Sequence, residues 1–209
     1  MPMRDMNELR LSLEKGTPLL LAGLGDSLTY GWEVSRGFFD RFVDELERRY
    51  PGAELGRINA GVPGDVAPGG LRRLASILAQ KPDVVFVQFA LNDCFGGLPL
   101  EEYVQALEGT VRTVKKGGAL PVLCTSCPVT WPGNLDEIDA FYEAVLTVAE
   151  DMGVPGVALD AYWKQSDEGR EGVDLFAEDG VHPTDLGHEI MARGLLAAME
   201  KPQEGGNEP

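Results

Sequence analysis

Short apolar runs alternate with amphipathic segments along most of the 209-residue chain. Five of the runs are continuous enough to be parallel strands that are covered on both faces. The run from Asp83 to Phe89 is the strongest, because it is rich in β-branched valine and its apolar residues are nearly continuous. The five predicted strands cover residues 19–23, 55–60, 83–89, 121–124 and 156–159.

The segments between these runs place apolar residues at helical spacing. Pro51-Gly52 ends the first of these stripes and Gly117-Gly118 ends the third, while Asn134 is positioned to cap the fourth. A further short helix is expected near the N-terminus, at about residues 5–15. The main predicted helices lie within residues 39–50, 71–78, 100–114, 135–149 and 184–199.

This alternation of strands and helices predicts a three-layer, doubly wound α/β domain with five parallel strands. We expect one domain over residues 1–202, in which residues 1–16 form an N-terminal appendage helix. The polar tail at residues 203–209 is predicted to be disordered. In such folds the functional site lies at the carboxyl ends of the strands, so the loops that follow the strands hold the candidate chemistry.

The composition narrows the classes of partner. The chain has 18 Lys and Arg against 34 Asp and Glu, which gives a formal charge of −16. That balance argues against a nucleic-acid partner and against stable association with anionic membranes. The longest apolar run is too short to span a bilayer, and the first residues do not form a signal peptide. A cytoplasmic protein is therefore expected, and the sequence leaves open whether it forms a homo-oligomer.

The three cysteines, Cys94, Cys124 and Cys127, are too few for a disulfide scaffold in a chain of this size. Cys124 and Cys127 have the C-x-x-C spacing, but no second pair exists to complete a metal site. We therefore predict no metal centre and interpret this pair as structural.

Four loops bring polar residues and a glycine toward the same predicted edge of the sheet. Ser27 follows the first strand, Gly64 the second and Asn92 the third, while Asp179 and His182 precede the last helix. A serine hydroxyl needs a base to become a nucleophile, and a histidine is suited to that role. A carboxylate orients the imidazole, while N–H donors hold an oxyanion.

Only two histidines are available as a base. His188 falls inside the last predicted helix, where we expect it on the surface. His182 lies in the loop before that helix, and Asp179 is three residues earlier, close enough to contact its Nδ1 atom across a turn. His182 is therefore the expected base.

The four blocks resemble the GDSL/SGNH hydrolase family. Gly25-Asp26-Ser27-Leu28 matches the block that carries the nucleophile, and Asp179-x-x-His182 matches the block that carries the rest of the triad. Gly64 and Asn92 match the residues that donate to the oxyanion in the family. The blocks occur in the family order and span residues 25–182. Ala90 is a departure, because the family has glycine there, and Gly61 competes with Gly64 for the second block.

The resemblance implies a flavodoxin-like fold and hydrolysis of a small ester or thioester by acyl transfer, with no metal or organic cofactor. It implies that Ser27 is the nucleophile, with its own N–H, the Gly64 N–H and the Asn92 side chain around the oxyanion. Asp26 and Asp93 are expected to bond loop backbone. The aromatic residues of these loops are expected either to hold the loops in place or to line a substrate pocket: Trp32, Phe95, Trp131 and Phe176.

Three alternatives remain open from the sequence. The same site serves a carbohydrate deacetylase or an acyl-thioesterase. A non-catalytic, flavodoxin-like binding module is an alternative of another class.

The weakly periodic stretch at residues 160–179 is a candidate lid over the site.

Overall fold

The computed structural model describes residues 3–130, 135–171 and 174–200. Five strands form a single sheet in the order β2-β1-β3-β4-β5, and every neighbouring pair is parallel. This is the strand order of flavodoxin-like folds. The predicted five-stranded, doubly wound α/β architecture is confirmed. The strands are β1 (Leu19–Gly25), β2 (Leu55–Gly61), β3 (Val84–Gln88), β4 (Leu120–Cys124) and β5 (Gly156–Val157).

The strand predictions fail mainly at the edge of the sheet. Every residue of β3 and β4 is buried, which explains why both strands are apolar except for Gln88 at the end of β3. The edge strand β5 contains only two residues, and Leu159, which we predicted to end it, begins a helix instead. A buried leucine fits the core equally well from a strand or a helix, so its hydrophobicity does not discriminate between them.

Within the described residues, six helices span nine residues or more, and they correspond to the predicted amphipathic segments. The same residues include four shorter helices that were not predicted, because one or two turns are too short to display a periodic stripe. The long helices are α1 (Met6–Glu14), α3 (Phe38–Arg49), α4 (Ala67–Leu78), α6 (Leu100–Lys116), α7 (Leu135–Asp151) and α10 (Asp185–Glu200). The short ones are α2 (Ser27–Tyr30), α5 (Leu91–Phe95), α8 (Leu159–Gln165) and α9 (Asp167–Glu171).

The helices flank the sheet in two contacting groups. Helix α10 contacts α1, α3 and α8, while α6 contacts α4 and α7. On the first side, the buried rings of Phe39 and Phe42 pack against Phe86 of β3, with ring centroids 6.0 and 5.2 Å apart. Burial of such rings on both faces of the sheet is the main favourable contribution to this fold.

Two further segments pack against the core. Helix α1, which was predicted at about residues 5–15, buries Met6, Leu9 and Leu13 in the main hydrophobic cluster. The candidate lid begins in α8, where Trp163 is buried. That part of residues 160–179 is a fixed element, because α8 packs on α10. The predicted Asn134 cap and the tail at 203–209 lie outside the described residues, and the single domain at 1–202 stays a prediction.

Candidate active site

The carboxyl ends of the central strands are aligned by the sheet register. Gly25 at the end of β1 pairs with Gly61 of β2 and with Gln88 of β3, and Gln88 pairs with Cys124 of β4. The loops that follow these strands therefore start side by side. All the candidate residues from the first three sequence blocks lie within seven residues of these strand ends.

Ser27 is the first residue of the single-turn helix α2. The Asp26 carboxylate caps this turn by accepting the Leu28 N–H at 2.9 Å, and Gly31 ends it with a φ of +84°. The side chain of Ser27 is largely buried, with 7% of the residue exposed. The backbone N–H of Ser27 has no acceptor among the described residues.

The glycine that ends β2, Gly61, and the glycine in the loop after it, Gly64, have different environments. The Gly61 N–H donates to Asn59 Oδ1 at 3.0 Å, and a Cβ atom at Gly61 would lie 2.1 Å from the Tyr30 nitrogen. Gly61 is therefore needed for close packing against α2. Gly64 has a φ of +77° and is exposed, and its N–H has no acceptor within the described chain.

Asn92 lies in α5, directly after β3, and is oriented by the same loop. Its Nδ2 atom donates to the backbone oxygen of Asp65 at 3.0 Å, which brings the amide beside the Asp65-Val66 peptide, one residue after Gly64. An amide nitrogen carries two hydrogens, so one remains for a ligand. The side chain of Asn92 is thus held against the loop that contains Gly64.

Ala90 is held in a conformation that L-residues rarely adopt, with φ 152° and ψ −44°. It is fully buried at the N-terminus of α5, two residues before Asn92. Backbone strain of this kind costs about 1–3 kcal/mol and persists only where the surrounding structure enforces it. The departure from the family glycine therefore retains the glycine-like backbone, with the added methyl group packed into the core.

The Asp179–His182 loop is anchored at both ends. Phe176 and Pro183 form an antiparallel bridge, and the Ala177 N–H donates to the His182 oxygen at 2.8 Å. Asp179 Oδ1 accepts the N–H groups of Val181 and His182, each at 2.9 Å. These bonds form a tight turn around the carboxylate, which fixes the Asp179 side chain beside the His182 ring.

The ring of His182 bridges the other two candidate residues. Its Nδ1 atom lies 2.5 Å from Asp179 Oδ2, and its Nε2 atom lies 2.9 Å from Ser27 Oγ. An ionised carboxylate only accepts hydrogen bonds, so Nδ1 carries the proton and Nε2 is left to accept the Ser27 hydroxyl proton. This geometry allows His182 to act as a general base toward Ser27.

The electrostatics of Asp179 favour its charged form. Partial burial alone would raise the pKa of Asp179. The hydrogen bonds from the His182 ring and from two backbone N–H groups together lower it by more than burial raises it. The net result is a lowered pKa, which keeps Asp179 ionised near neutral pH.

His188 corrects one prediction. It lies in α10 as expected, but it is fully buried rather than on the helix surface. Its Nδ1 atom accepts the Phe38 N–H at 3.1 Å, and its ring stacks on the Phe38 ring. Burial lowers the pKa of His188 to about 3, with Arg41 and His182 adding to the effect. A neutral histidine that caps α3 has no role in proton transfer at the edge of the sheet.

A buried polar cluster beneath Ser27 was missed by the sequence analysis. The Gln88 amide accepts the Thr29 hydroxyl at 2.8 Å and donates to Ser126 Oγ at 2.7 Å and Asp26 Oδ2 at 3.2 Å. Gln88 ends an apolar strand, so a single polar residue there carried no recognisable signal. Asp26 and Asp93 both bond backbone as expected, but near the starts of helices rather than in loops: Asp26 accepts the Leu28 N–H of α2, and Asp93 accepts the Ala67 N–H of α4 at 2.8 Å.

Burial perturbs both of these carboxyl groups. It raises the pKa of Asp26 to about 7, although the Leu28 N–H and the Gln88 amide oppose the shift. It raises the pKa of Asp93 to about 6, against the Ala67 N–H. Two desolvated carboxyl groups therefore flank the candidate site and titrate near neutral pH.

The candidate pocket aromatics have different environments. Trp32 and Phe95 are 43% and 48% exposed and lie in the segments after β1 and β3. Phe176 instead stacks on the buried Trp163 ring, with centroids 5.2 Å apart, which supports the interpretation that it holds its loop in place. Trp131 lies outside the described residues.

The three cysteines are free thiols, and burial raises the pKa of Cys124 and Cys127 far above the usual value. Among residues 3–130, 135–171 and 174–200, no group of three or more His, Cys, Asp and Glu side chains is arranged to hold a metal ion. In the same ranges, no helix has both the length and the hydropathy required to cross a membrane.

A model of the GDSL-like Lipase/Acylhydrolase family matches residues 24–190, which include all four sequence blocks. The chain belongs to this family. The predicted family and the predicted class of enzyme, a serine hydrolase that acts on esters, are both confirmed.

Individual relatives agree with this assignment. Esterase TesA of Pseudomonas aeruginosa is 27% identical over 170 residues, which is 79% of each chain. Thioesterase 1/protease 1/lysophospholipase L1 of Escherichia coli K12 is 27% identical over 77% of this chain and 73% of its own. An acetylxylan esterase from Geobacillus stearothermophilus shares the fold, with a TM-score of 0.75, 22% identity, and coverage of 88% of this chain and 95% of its own. These comparisons do not support the non-catalytic alternative.

We predict that Ala90→Gly is tolerated unusually well. Relief of the strained φ should offset the lost methyl contacts and the added freedom of the unfolded chain, so the free energy of unfolding should change by less than about 1 kcal/mol. Ala106→Gly in α6, also buried, is the control and should destabilise by about 1–2 kcal/mol. Chemical denaturation measures both. Equal losses in the two variants would contradict strain at Ala90.

We predict that Asp26 makes folding stability depend on pH. A carboxyl with a pKa near 7 when folded and about 3.9 when unfolded binds more protons in the folded state. Its contribution to the free energy of unfolding therefore decreases as the pH rises from about 4 to about 7. Asp26→Asn should remove this loss, which amounts to about 1.4 kcal/mol per unit of pKa shift.

Denaturation of both proteins across this pH window tests the expectation. The stability of Asp26→Asn relative to the wild type should rise as the pH rises. The exposed Asp151→Asn variant controls for loss of a surface charge. A relative stability of Asp26→Asn that is constant with pH would show that Asp26 is charged in the folded protein throughout.

Proposed function

We propose that Ser27, His182 and Asp179 form a catalytic triad that hydrolyses carboxylic esters by acyl transfer. The observation that carries this proposal is the continuous chain of contacts from Asp179 Oδ2 through the His182 ring to Ser27 Oγ, at 2.5 and 2.9 Å. The three residues come from opposite ends of the chain, and a purely structural role for Ser27 requires no histidine at that distance. The geometry matches the roles of nucleophile, base and orienting acid.

The reaction follows from these roles. Ser27 Oγ attacks the ester carbonyl carbon while His182 Nε2 takes the hydroxyl proton, and the Asp179 carboxylate stabilises the resulting imidazolium. The tetrahedral intermediate collapses, and His182 returns the proton to the departing alcohol. Water then attacks the acyl-serine, with His182 again as base, and the carboxylic acid is released as Ser27 is regenerated.

We further propose that three donors stabilise the oxyanion of the tetrahedral intermediate: the N–H groups of Ser27 and Gly64 and the side-chain amide of Asn92. The first two lack acceptors among the described residues, and the third is bonded to the Asp65 oxygen beside Gly64. Gly61 is disfavoured because its N–H already donates to Asn59. Preorganised donors of this kind supply a large share of the rate enhancement in acyl transfer.

The substrate is proposed to be a small ester that contacts the exposed rings of Trp32 and Phe95. Phe176 is a weaker pocket candidate because its ring stacks on Trp163. The similar proteins include a thioesterase and an acetylxylan esterase, so thioester hydrolysis and sugar deacetylation are the alternatives for the same site. The cytoplasmic location and any homo-oligomer stay predictions.

The test is hydrolysis of p-nitrophenyl esters from acetyl to long acyl chains, with acyl-thioesters and acetylated sugars in parallel. We expect Ser27→Ala to lower kcat by roughly 10⁴–10⁶-fold, because the nucleophile is lost. Asn92→Ala should lower kcat by about 10²–10³-fold with little change in KM, because one oxyanion donor is lost.

Ser12→Ala is the matched control, since Ser12 is half-buried in α1 and its hydroxyl donates only to the Glu8 oxygen. Its kinetics should equal those of the wild type. Full activity in Ser27→Ala would refute the proposed mechanism. A strong preference for thioesters or sugar acetates would retain the triad and replace the substrate.

A further inference from the structure

One arginine outside the proposed triad connects the loops that carry the oxyanion donors. Arg73 lies in α4, and its guanidinium makes three contacts. Its Nε atom donates to Asp65 Oδ2 at 2.7 Å, Nη1 donates to the Ala60 oxygen at 2.5 Å, and Nη2 donates to the Gly25 oxygen at 2.9 Å. The ion pair with Asp65 is partly buried, with the two side chains 24% and 14% exposed.

Each contact lies beside a proposed oxyanion donor. Gly25 precedes the turn that carries Ser27, and Ala60 and Asp65 are on either side of Gly64. The backbone oxygen of Asp65 also accepts a hydrogen bond from the side-chain amide of Asn92 at 3.0 Å. A single guanidinium therefore holds the backbone next to two donors and, through Asp65, the side chain of the third.

The residue type suits this task. The guanidinium is a rigid, planar fork that is always charged, so it donates in several directions at once with little loss of conformational freedom. A lysine ammonium would be a point charge that keeps the ion pair with Asp65 but not the fixed spacing between two carbonyl oxygens. The contacts with the Gly25 and Ala60 oxygens are thus specific to arginine.

We propose that Arg73 is a positioning residue that sets the geometry of the oxyanion hole through Asp65, Ala60 and Gly25. This inference rests on the proposed function, because it concerns the same three donors. Oxyanion donors act on the transition state more than on the bound ester, and a displacement of about 1 Å can cost on the order of 10²-fold in rate. Removal of Arg73 should therefore lower kcat and leave KM nearly unchanged.

Arg57 is a matched control. It lies in β2 and is 22% exposed, and it donates to the Asp40 oxygen and to the carboxylates of Asp44 and Glu47. Arg57 and Arg73 therefore make the same kinds of contact, since each donates to backbone and carboxylate oxygens. None of the partners of Arg57 belongs to the proposed site. Loss of Arg57 should affect stability alone.

The experiment measures ester hydrolysis by Arg73→Ala, Arg73→Lys and Arg57→Ala, with kcat normalised to the folded fraction found by circular dichroism. We expect both Arg73 variants to lose about 10- to 100-fold in kcat, with KM within about twofold. Arg57→Ala should keep the wild-type kcat. If Arg73→Ala does not fold, Arg73→Lys carries the test, because it retains the charge next to Asp65.

A double-mutant cycle separates positioning from general stability. If Arg73 acts through the donors, Arg73→Ala should reduce kcat by a smaller factor in the Asn92→Ala background than in the wild type. Wild-type kcat in folded Arg73→Lys, or an equal factor in both backgrounds, would overturn the proposal. Failure of the proposed function is recognised separately, because Ser27→Ala would then remain active.

Discussion

The parallel sheet imposes the constraint on which the site depends. Its central strands are buried on both faces, so polar groups are costly along their length and gather where the strands end. Because all five strands run in the same direction, these ends form one edge of the sheet. The hydrogen bond between Ser27 and His182, 155 residues apart, is made across that edge.

The polar groups at this edge are bonded to one another. Gln88 joins Thr29, Asp26 and Ser126 beneath the nucleophile, and Arg73 joins the loops on the other side of Gly25. Such networks fix the position of backbone donors, but they leave desolvated carboxyl groups with raised pKa values. The strained backbone at Ala90 belongs to the same region. The buried carboxyl groups and the strained backbone at Ala90 thus reduce the free energy of unfolding in the region where the loops are held most firmly.

Much of this arrangement could be predicted from the sequence, and the remainder could not for identifiable reasons. Ser27, Asn92 and His182 could be proposed as site residues because their types and the order of the blocks match a known family. His188 was misplaced because the predicted helix did not reveal which of its faces is buried, and α8 was missed because Leu159 suits either type of element. Neither Gln88 nor Arg73 carries a local signal, because their contacts join segments that are distant in sequence.

Covalent labelling with a fluorophosphonate tests the central claim most directly, since the reagent reacts with an activated serine whatever the natural ester is. Intact-mass measurement and peptide mapping of the labelled wild type should find one adduct, on Ser27. The same treatment of His182→Ala should find almost none, because the base that activates the hydroxyl is gone. An adduct on another serine, or equal labelling of His182→Ala, would contradict a triad built on Ser27 and His182.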